Sequence, residues 1–198
     1  MPAAFFAVSG GKMTWEEFES KALQCNGCIL SKTRTNVVIG RGSRNTGRIL
    51  FVGEGPGENE DKQGVPFVGQ AGRLLDLALE ALEFSRDDYY IANIVKCRPP
   101  QNRNPSLEEC EACLPLLRQQ YLLLKPKIVV ALGAVAANNL IDKNKTITSM
   151  RGQWFNKGGI LFTSTYHPAA LTRDSSKKPD FYYDLKQVKA YADKYINK

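Results

Sequence analysis

The chain of 198 residues is short of every feature that would take it out of the ordinary globular class. It has no apolar run near the roughly 18 residues that a membrane span needs, and no signal-peptide pattern opens it. It has no internal repeat and no low-complexity segment. At 43% hydrophobic and 24% charged residues it is too apolar for intrinsic disorder and lacks the glycine period of collagen. Histidine occurs once. Cysteine occurs five times, an odd number for a disulfide framework, so metal ligation or a free thiol is the better question. These absences leave one compact domain, since the length exceeds a domain of roughly 150 residues only slightly. The chain is expected to be cytoplasmic, monomeric and without a membrane partner.

What is present begins with charge. Lys and Arg number 27 against 20 Asp and Glu, a net +7. Residues 1–99 carry 12 basic and 12 acidic side chains, and residues 100–198 carry 15 and 8, so the whole excess lies in the second half. A one-sided surplus suits a polyanion, nucleic acid above all, because neutralising phosphates releases counterions. A basic soluble protein without such a partner explains the charge equally well.

Residues 1–12 end in Ser-Gly-Gly-Lys and are expected to be an extra or disordered N-terminal tail, with Met13 a candidate start and the domain running over 13–198. Thr14 and Glu17 form a capping box for a short helix. Four β-rich runs follow: Ile49–Gly53, Tyr89–Val95, Lys127–Leu132 and Ile160–Tyr166. Their near-continuous apolar character suits strands buried on both faces. Helical patterns lie between and after them over Ala71–Leu82, Ser106–Leu124, Gly133–Ile141 and Phe181–Ile196. Ser106 and Glu109 cap the second of these, and Pro115 is expected to kink or restart it. Strand–helix alternation predicts an α/β fold with a mostly parallel sheet and right-handed crossovers.

Ligands of such folds sit outside the carboxyl ends of the strands. The first strand ends in GEGPGENED, the second carries Asn93 and ends in KCRPP, the third ends in LGA and the fourth in YHPAAL. Every chemically loaded segment therefore falls at one edge of the sheet. GEGPG resembles a dinucleotide loop, but that fingerprint opens a helix directly after the glycines. Here Glu54, Glu58, Glu60 and Asp61 crowd the loop and a helix is expected only after Pro66, so a neutral or planar ligand suits it better than a phosphate. His167, just past the fourth strand, is either a satisfied structural residue or a functional one, and its place at the strand end favours function. Asn93 is costly inside an apolar run unless its amide is bonded to backbone or to a ligand.

Cys25 and Cys28 form one C-x2-C pair, Cys110 and Cys113 another, and Cys97 follows the second strand. Zinc could take 25, 28, 110 and 113, an iron–sulfur cluster could take Cys97 with one of the helix cysteines, and Cys110 and Cys113 could simply be buried on one helix face.

The segments GEGPGENEDKQGVPFVGQAG, YIANIVKCRPPQNRNPSLEECEAC and YHPAAL resemble family 4 uracil-DNA glycosylase, the iron–sulfur branch of its superfamily, over roughly residues 14–195. The resemblance implies a three-layer α/β/α fold around a four-stranded, mostly parallel sheet. It also implies a [4Fe–4S] cluster on Cys25, Cys28, Cys97 and Cys113, with Cys110 a spare and the cluster pinning the Arg98–Asn104 loop near DNA. The implied activity is flipping of a uracil nucleotide from single- or double-stranded DNA and hydrolysis of its glycosidic bond without lyase chemistry, the first step of base excision repair.

Residue by residue, the resemblance makes Asn93 the reader of uracil O4 and N3–H and Phe67 the stacking ring. Gly53, Glu54 and Gly55 line the pocket, Glu60 closes it beside uracil C5, and His167 stabilises the leaving uracil anion through O2. Another branch of the superfamily has a water-orienting aspartate where Gly55 stands, which leaves Glu54, or no side chain, to activate water. Leu171 is a candidate wedge, and Arg98, Arg103 and Arg173 candidate DNA contacts, against a plain surface-loop reading. The rival from another class is a non-catalytic iron–sulfur or zinc module that binds nucleic acid or carries electrons, which would need no Asn93, Phe67 and His167 at one sheet edge.

Overall fold

A computed structural model describes residues 13–46 and 48–195. The tail expected over 1–12 and Ile196, the last residue of the expected final helix, lie outside the described residues. The strands are β1 (Arg41–Gly42), β2 (Ile49–Gly53), β3 (Tyr89–Asn93), β4 (Ile128–Leu132), β5 (Phe155–Lys157) and β6 (Ile160–Thr165). The helices are α1 (Trp15–Leu23), α2 (Glu58–Gln63), α3 (Gln70–Ala81), α4 (Leu107–Leu124), α5 (Ala134–Leu140), α6 (Ile147–Met150), α7 (Pro168–Arg173) and α8 (Lys178–Tyr195).

The strands form one sheet in the order β1-β3-β2-β4-β6-β5. The four central strands are the expected apolar runs, and they pair in parallel. The sheet is wider than the four strands the sequence predicts, because β1 and β5 add antiparallel edges of two and three residues. Arg-Gly and Phe-Asn-Lys are too short to carry a period, and backbone pairing alone recruits them.

Alternation along the strands divides the core. Leu50, Val52, Val129 and Ala131 face Phe18 of α1, Leu117 of α4, Ala137 of α5 and Met150 of α6. Ile49, Phe51, Ile128 and Val130 face Leu75 and Leu79 of α3, Leu171 of α7, and Phe181 and Leu185 of α8. The result is the three-layer α/β/α fold.

Two expectations about helices need correcting. The helix expected only after Pro66 is preceded by α2, which Gly57 caps and Gly64 ends in a left-handed conformation. Pro115 does not restart α4, which runs as one helix of 18 residues. Pro115 and Glu111 are both exposed, so water can satisfy the Glu111 carbonyl that proline leaves without a donor, while Cys113, Leu114, Leu116 and Leu117 anchor the helix on both sides.

The carboxyl end of β6 is tied to α8 by a partly buried pair. Arg151 donates to Asp184 through Nε at 3.0 Å and Nη2 at 2.8 Å, and Thr165 Oγ1 donates to the same carboxylate at 2.7 Å. Asp184→Ala would take the acceptor from Thr165 Oγ1 and leave the guanidinium with only the half-exposed Asp180, whose carboxylate lies 3.3 Å from Nη1 and whose carbonyl accepts from Nη2 at 3.0 Å, and is expected to cost about 1–3 kcal/mol. Urea unfolding checks this; a loss below about 1 kcal/mol would make the pair peripheral.

Candidate active site and cysteine cavity

Parallel register sets Gly53 beside Asn93 and Leu132 beside Thr165, which brings the chemically loaded segments to one sheet edge. A cavity of about 420 Å³ opens there, and Glu54, Gly55, Glu60, Phe67, Asn93, Arg103, His167 and Arg173 all line it. A larger cavity of about 870 Å³ lies at the opposite edge, against Arg48 and Lys127 at the starts of β2 and β4, and touches none of these residues.

Asn93 ends β3, and its side chain is buried with Oδ1 lacking a hydrogen-bond partner. An orphaned amide oxygen in a cavity wall is costly unless a ligand satisfies it. Gly53 lies directly against it: a Cβ there would clash with Asn93 Oδ1 and stand 2.6 Å from Phe67 Cζ. Glycine at that position is what lets the amide and the ring meet. Past the strands, Ile94 N still donates to Gly53 O at 2.9 Å and Val95 N to Glu54 O at 3.1 Å, so the pocket wall continues beyond the sheet.

Phe67 adopts a left-handed backbone with φ of 55°, a conformation that costs a non-glycine residue about 1–3 kcal/mol. Glu60 holds it there. Its Oε1 accepts from Val68 N at 2.9 Å and Gly69 N at 2.8 Å, and its Oε2 accepts from Gly57 N at 3.1 Å. Of the four carboxylates in the glycine loop, three are thus engaged by protein: Glu60, Asp61 by the Thr35 and Asn36 amides, and Glu58 by Lys62 and Arg98. Glu54 remains at the cavity, where burial raises its pKa and Arg173 opposes the rise. At Gly55 a Cβ would stand 2.7 Å from Val95 Cγ2, so close packing excludes a larger side chain unless Val95 moves.

His167 caps α7, its Nδ1 accepting from Ala169 N at 3.2 Å, which places the proton of the neutral ring on Nε2. Burial lowers its pKa to about 4, Arg173 adds to the shift and Glu60 opposes it, so the ring is neutral at pH 7. The Phe67 and His167 rings lie 5.8 Å apart, tilted by 32°. Gly133, at φ of 91°, makes room for the histidine: a Cβ there would stand 2.7 Å from His167 Cβ.

The residues expected to meet DNA divide. Arg173 is exposed at the cavity rim. Arg98 donates through Nε to Asn102 Oδ1 at 2.8 Å, and Arg103 grips the buried Glu109 carboxylate in two hydrogen bonds of 2.8 and 2.6 Å. Leu171 is not a surface wedge in this conformation: at 3% exposure it belongs to the core beneath α7, because its helix turns it inward.

A third, small cavity is lined by Cys25, Cys28, Cys97 and Cys113 together with Arg34 and Lys96. Cys110 does not reach it and faces Asn139 instead, which removes the set 25, 28, 110 and 113. Among the described residues, no three His, Cys, Asp or Glu side chains close on one point tightly enough to bind a single metal ion. The donor set is all sulfur, with a guanidinium and a backbone amide against it: Arg34 Nη1 lies 3.2 Å from Cys97 Sγ, and the Lys96 backbone N–H donates to Cys113 Sγ at 3.2 Å. That chemistry fits an anionic, thiolate-held cluster. Lys96 had no sequence signal beyond a lysine at the end of an apolar run, and Arg34 had none.

The sequence profile of the Uracil DNA glycosylase superfamily matches residues 39–187. The type-4 uracil-DNA glycosylase of Thermotoga maritima is 46% identical over 167 residues, which cover 82% of this chain and 85% of that protein. Those of Pyrobaculum aerophilum and Sulfurisphaera tokodaii are 43% and 40% identical, covering 81% and 89% of this chain and 86% and 84% of theirs. With a family profile spanning most of the chain and relatives of this identity, the chain belongs to the uracil DNA glycosylase superfamily.

Proposed function

We propose that this protein excises uracil from DNA as a monofunctional glycosylase, acting as a cytoplasmic monomer that hydrolyses the N-glycosidic bond and leaves an abasic site. One observation carries the reading: the orphaned Asn93 oxygen, the Phe67 ring and the neutral His167 share one cavity at the carboxyl edge of the sheet. In the duplex the target atom is out of reach, so the nucleotide is flipped into that cavity. Phe67 stacks on the base. Asn93 accepts from uracil N3–H and donates to O4, which satisfies its buried amide. Glu60, by fixing the loop that carries Phe67, closes the pocket beside uracil C5 against a thymine methyl.

Cleavage sends an electron pair onto the base and leaves an oxocarbenium-like sugar. His167 Nε2–H donates to uracil O2, where the negative charge develops, and the fixed donor favours the transition state over the ground state. Glu54 is the side chain available to orient the water that captures the sugar, while Gly53 and Gly55 keep the wall thin enough for the base. Arg173 and Arg98 supply phosphate contacts, with Arg103 reinforcing the same loop through Glu109.

Cys25, Cys28, Cys97 and Cys113 would hold a [4Fe–4S] cluster, which would tether the Arg98–Asn104 loop rather than react. Purified protein is expected to be brown with about four irons per chain. Cys97→Ser is expected to lose the colour and Cys110→Ser to keep it, read by visible absorption and iron content. One zinc per colourless chain would overturn the assignment, as would loss of the cluster from Cys110→Ser alone. The functional reading itself is tested with a labelled oligonucleotide carrying one uracil: free uracil and an abasic product are expected, and DNA binding without base release would sink it.

A further inference from the structure

We infer that Lys96 is a positioning residue that joins the cysteine cavity to Asn93: its ammonium holds the Asn93 carbonyl and is the counter-charge to the thiolate-held cluster. This rests on the uracil-excision reading above and names a residue that no step of that reading uses.

Lys96 is one of the largest fully buried side chains of the protein, at 1% exposure. Its side chain folds back so that Nζ donates to Asn93 O at 2.6 Å. Among the described residues no carboxylate pairs with Nζ, and the cavity that Lys96 lines is also lined by Cys25, Cys28, Cys97 and Cys113. A buried cation with one carbonyl and no anion is expensive. Four sulfurs sharing a cluster carry the negative charge that would offset it, and Lys96 lines the cavity they surround.

The backbone makes the same link. Ile94 N and Val95 N are bonded to Gly53 and Glu54 of the base pocket. One residue on, Lys96 N donates to Cys113 Sγ and Lys96 O accepts from Val38 N at 2.8 Å. Residues 93–97 thus form a short strap with the base reader at one end and Cys97 at the other. The Nζ–Asn93 O bond closes that strap and fixes the residue whose amide sits against Gly53. A lysine serving only to fill volume would need neither the carbonyl nor the thiols.

The test uses the full chain purified with its iron. Lys96→Met keeps the volume and removes both charge and donor, whereas Lys96→Gln keeps a donor without the charge. Challenged with excess ferrous chelator, both variants are expected to lose iron and visible absorbance at least about tenfold faster than the parent, the scale of one charge-assisted hydrogen bond. In single-turnover assays Lys96→Met is expected to excise uracil about 10- to 100-fold more slowly, with a lower uracil-to-cytosine rate ratio, and Lys96→Gln to recover part of both. A residue that served only to stabilise the fold would leave that ratio unmoved in the folded fraction. Should Lys96→Met fail to fold, Lys96→Gln carries both measurements. Parental iron release in the folded variants overturns the counter-charge role, and a parental rate and ratio overturn the positioning role. A parent that releases no uracil would fail the functional reading alone, since iron release still tests the link between Lys96 and the cysteines.

Discussion

Single-turnover excision of uracil by His167→Ala is expected to run about 100- to 1,000-fold slower than by the parent, the usual effect of removing one donor from a site of developing negative charge, roughly 2.7–4 kcal/mol. The geometry makes the donor specific. Ala169 N occupies Nδ1, so the neutral ring has its proton on Nε2 and cannot exchange tautomers without breaking the cap of α7. Binding to DNA with an uncleavable uracil analogue should change little, because the interaction strengthens only as charge reaches O2. An unimpaired single-turnover rate would return His167 to a capping role. The pH dependence follows from its pKa, lowered by burial to about 4 from an ordinary 6.5. Between those values the unfolded chain takes up the proton and the folded chain does not, so stability is full above about pH 6.5 and declines as pH falls toward 4. Urea midpoints of the parent should show this decline, and those of His167→Ala should lack that share of it.

The four central strands were legible because parallel strands buried on both faces read as near-continuous apolar runs, broken here only by Asn93 and by Thr163–Thr165, and β2 begins and ends where its apolar run does. Their carboxyl ends then located the cavity, since the switch from apolar run to Gly-, Asn-, His- and Cys-bearing loop occurs at the same edge four times. Elements held by long-range backbone pairing had no such signal. Arg41–Gly42 is a strand only because Tyr90 and Ile91 lie beside it. Side-chain direction was equally hidden. Leu171 follows a functional-looking loop, yet the turn of α7 points it into the core, and the Arg103 guanidinium that reads as a phosphate contact is engaged by Glu109. The glycines show the reverse case. Gly53 and Gly55 look like a flexible loop in the sequence, but in the fold they are places where a Cβ would strike Asn93, Phe67 or Val95. The resemblance assigned four ligand cysteines, and three-dimensional placement set the same four round one cavity while turning Cys110 away from it.

Asn93→Asp is expected to abolish most uracil excision while raising the cytosine-to-uracil rate ratio. Uracil presents an O4 acceptor beside an N3–H donor, whereas cytosine presents an N4–H donor beside an N3 acceptor. An amide free to rotate would match either base, so selectivity requires that its orientation be fixed. The surroundings of Asn93 restrict it: Gly53 is pressed against Oδ1, Phe67 covers the same glycine, and Lys96 holds the Asn93 carbonyl at 2.6 Å. Aspartate preserves the shape and replaces the NH2 donor by an acceptor oxygen. That oxygen would face uracil O4 with two acceptors opposed, and it could instead accept from cytosine N4–H. Sites built to hydrogen-bond a polar edge discriminate by about 10,000-fold or more when the match is broken, so the change in ratio should be measurable even where both absolute rates are poor. Single-turnover excision from matched uracil and cytosine oligonucleotides decides the matter, with iron content confirming that the variant keeps its cluster. If Asn93→Asp removes uracil at the parental rate, the orphaned amide oxygen is not the reader of the base, and the wall of the cavity that recognises uracil must lie on residues other than β3.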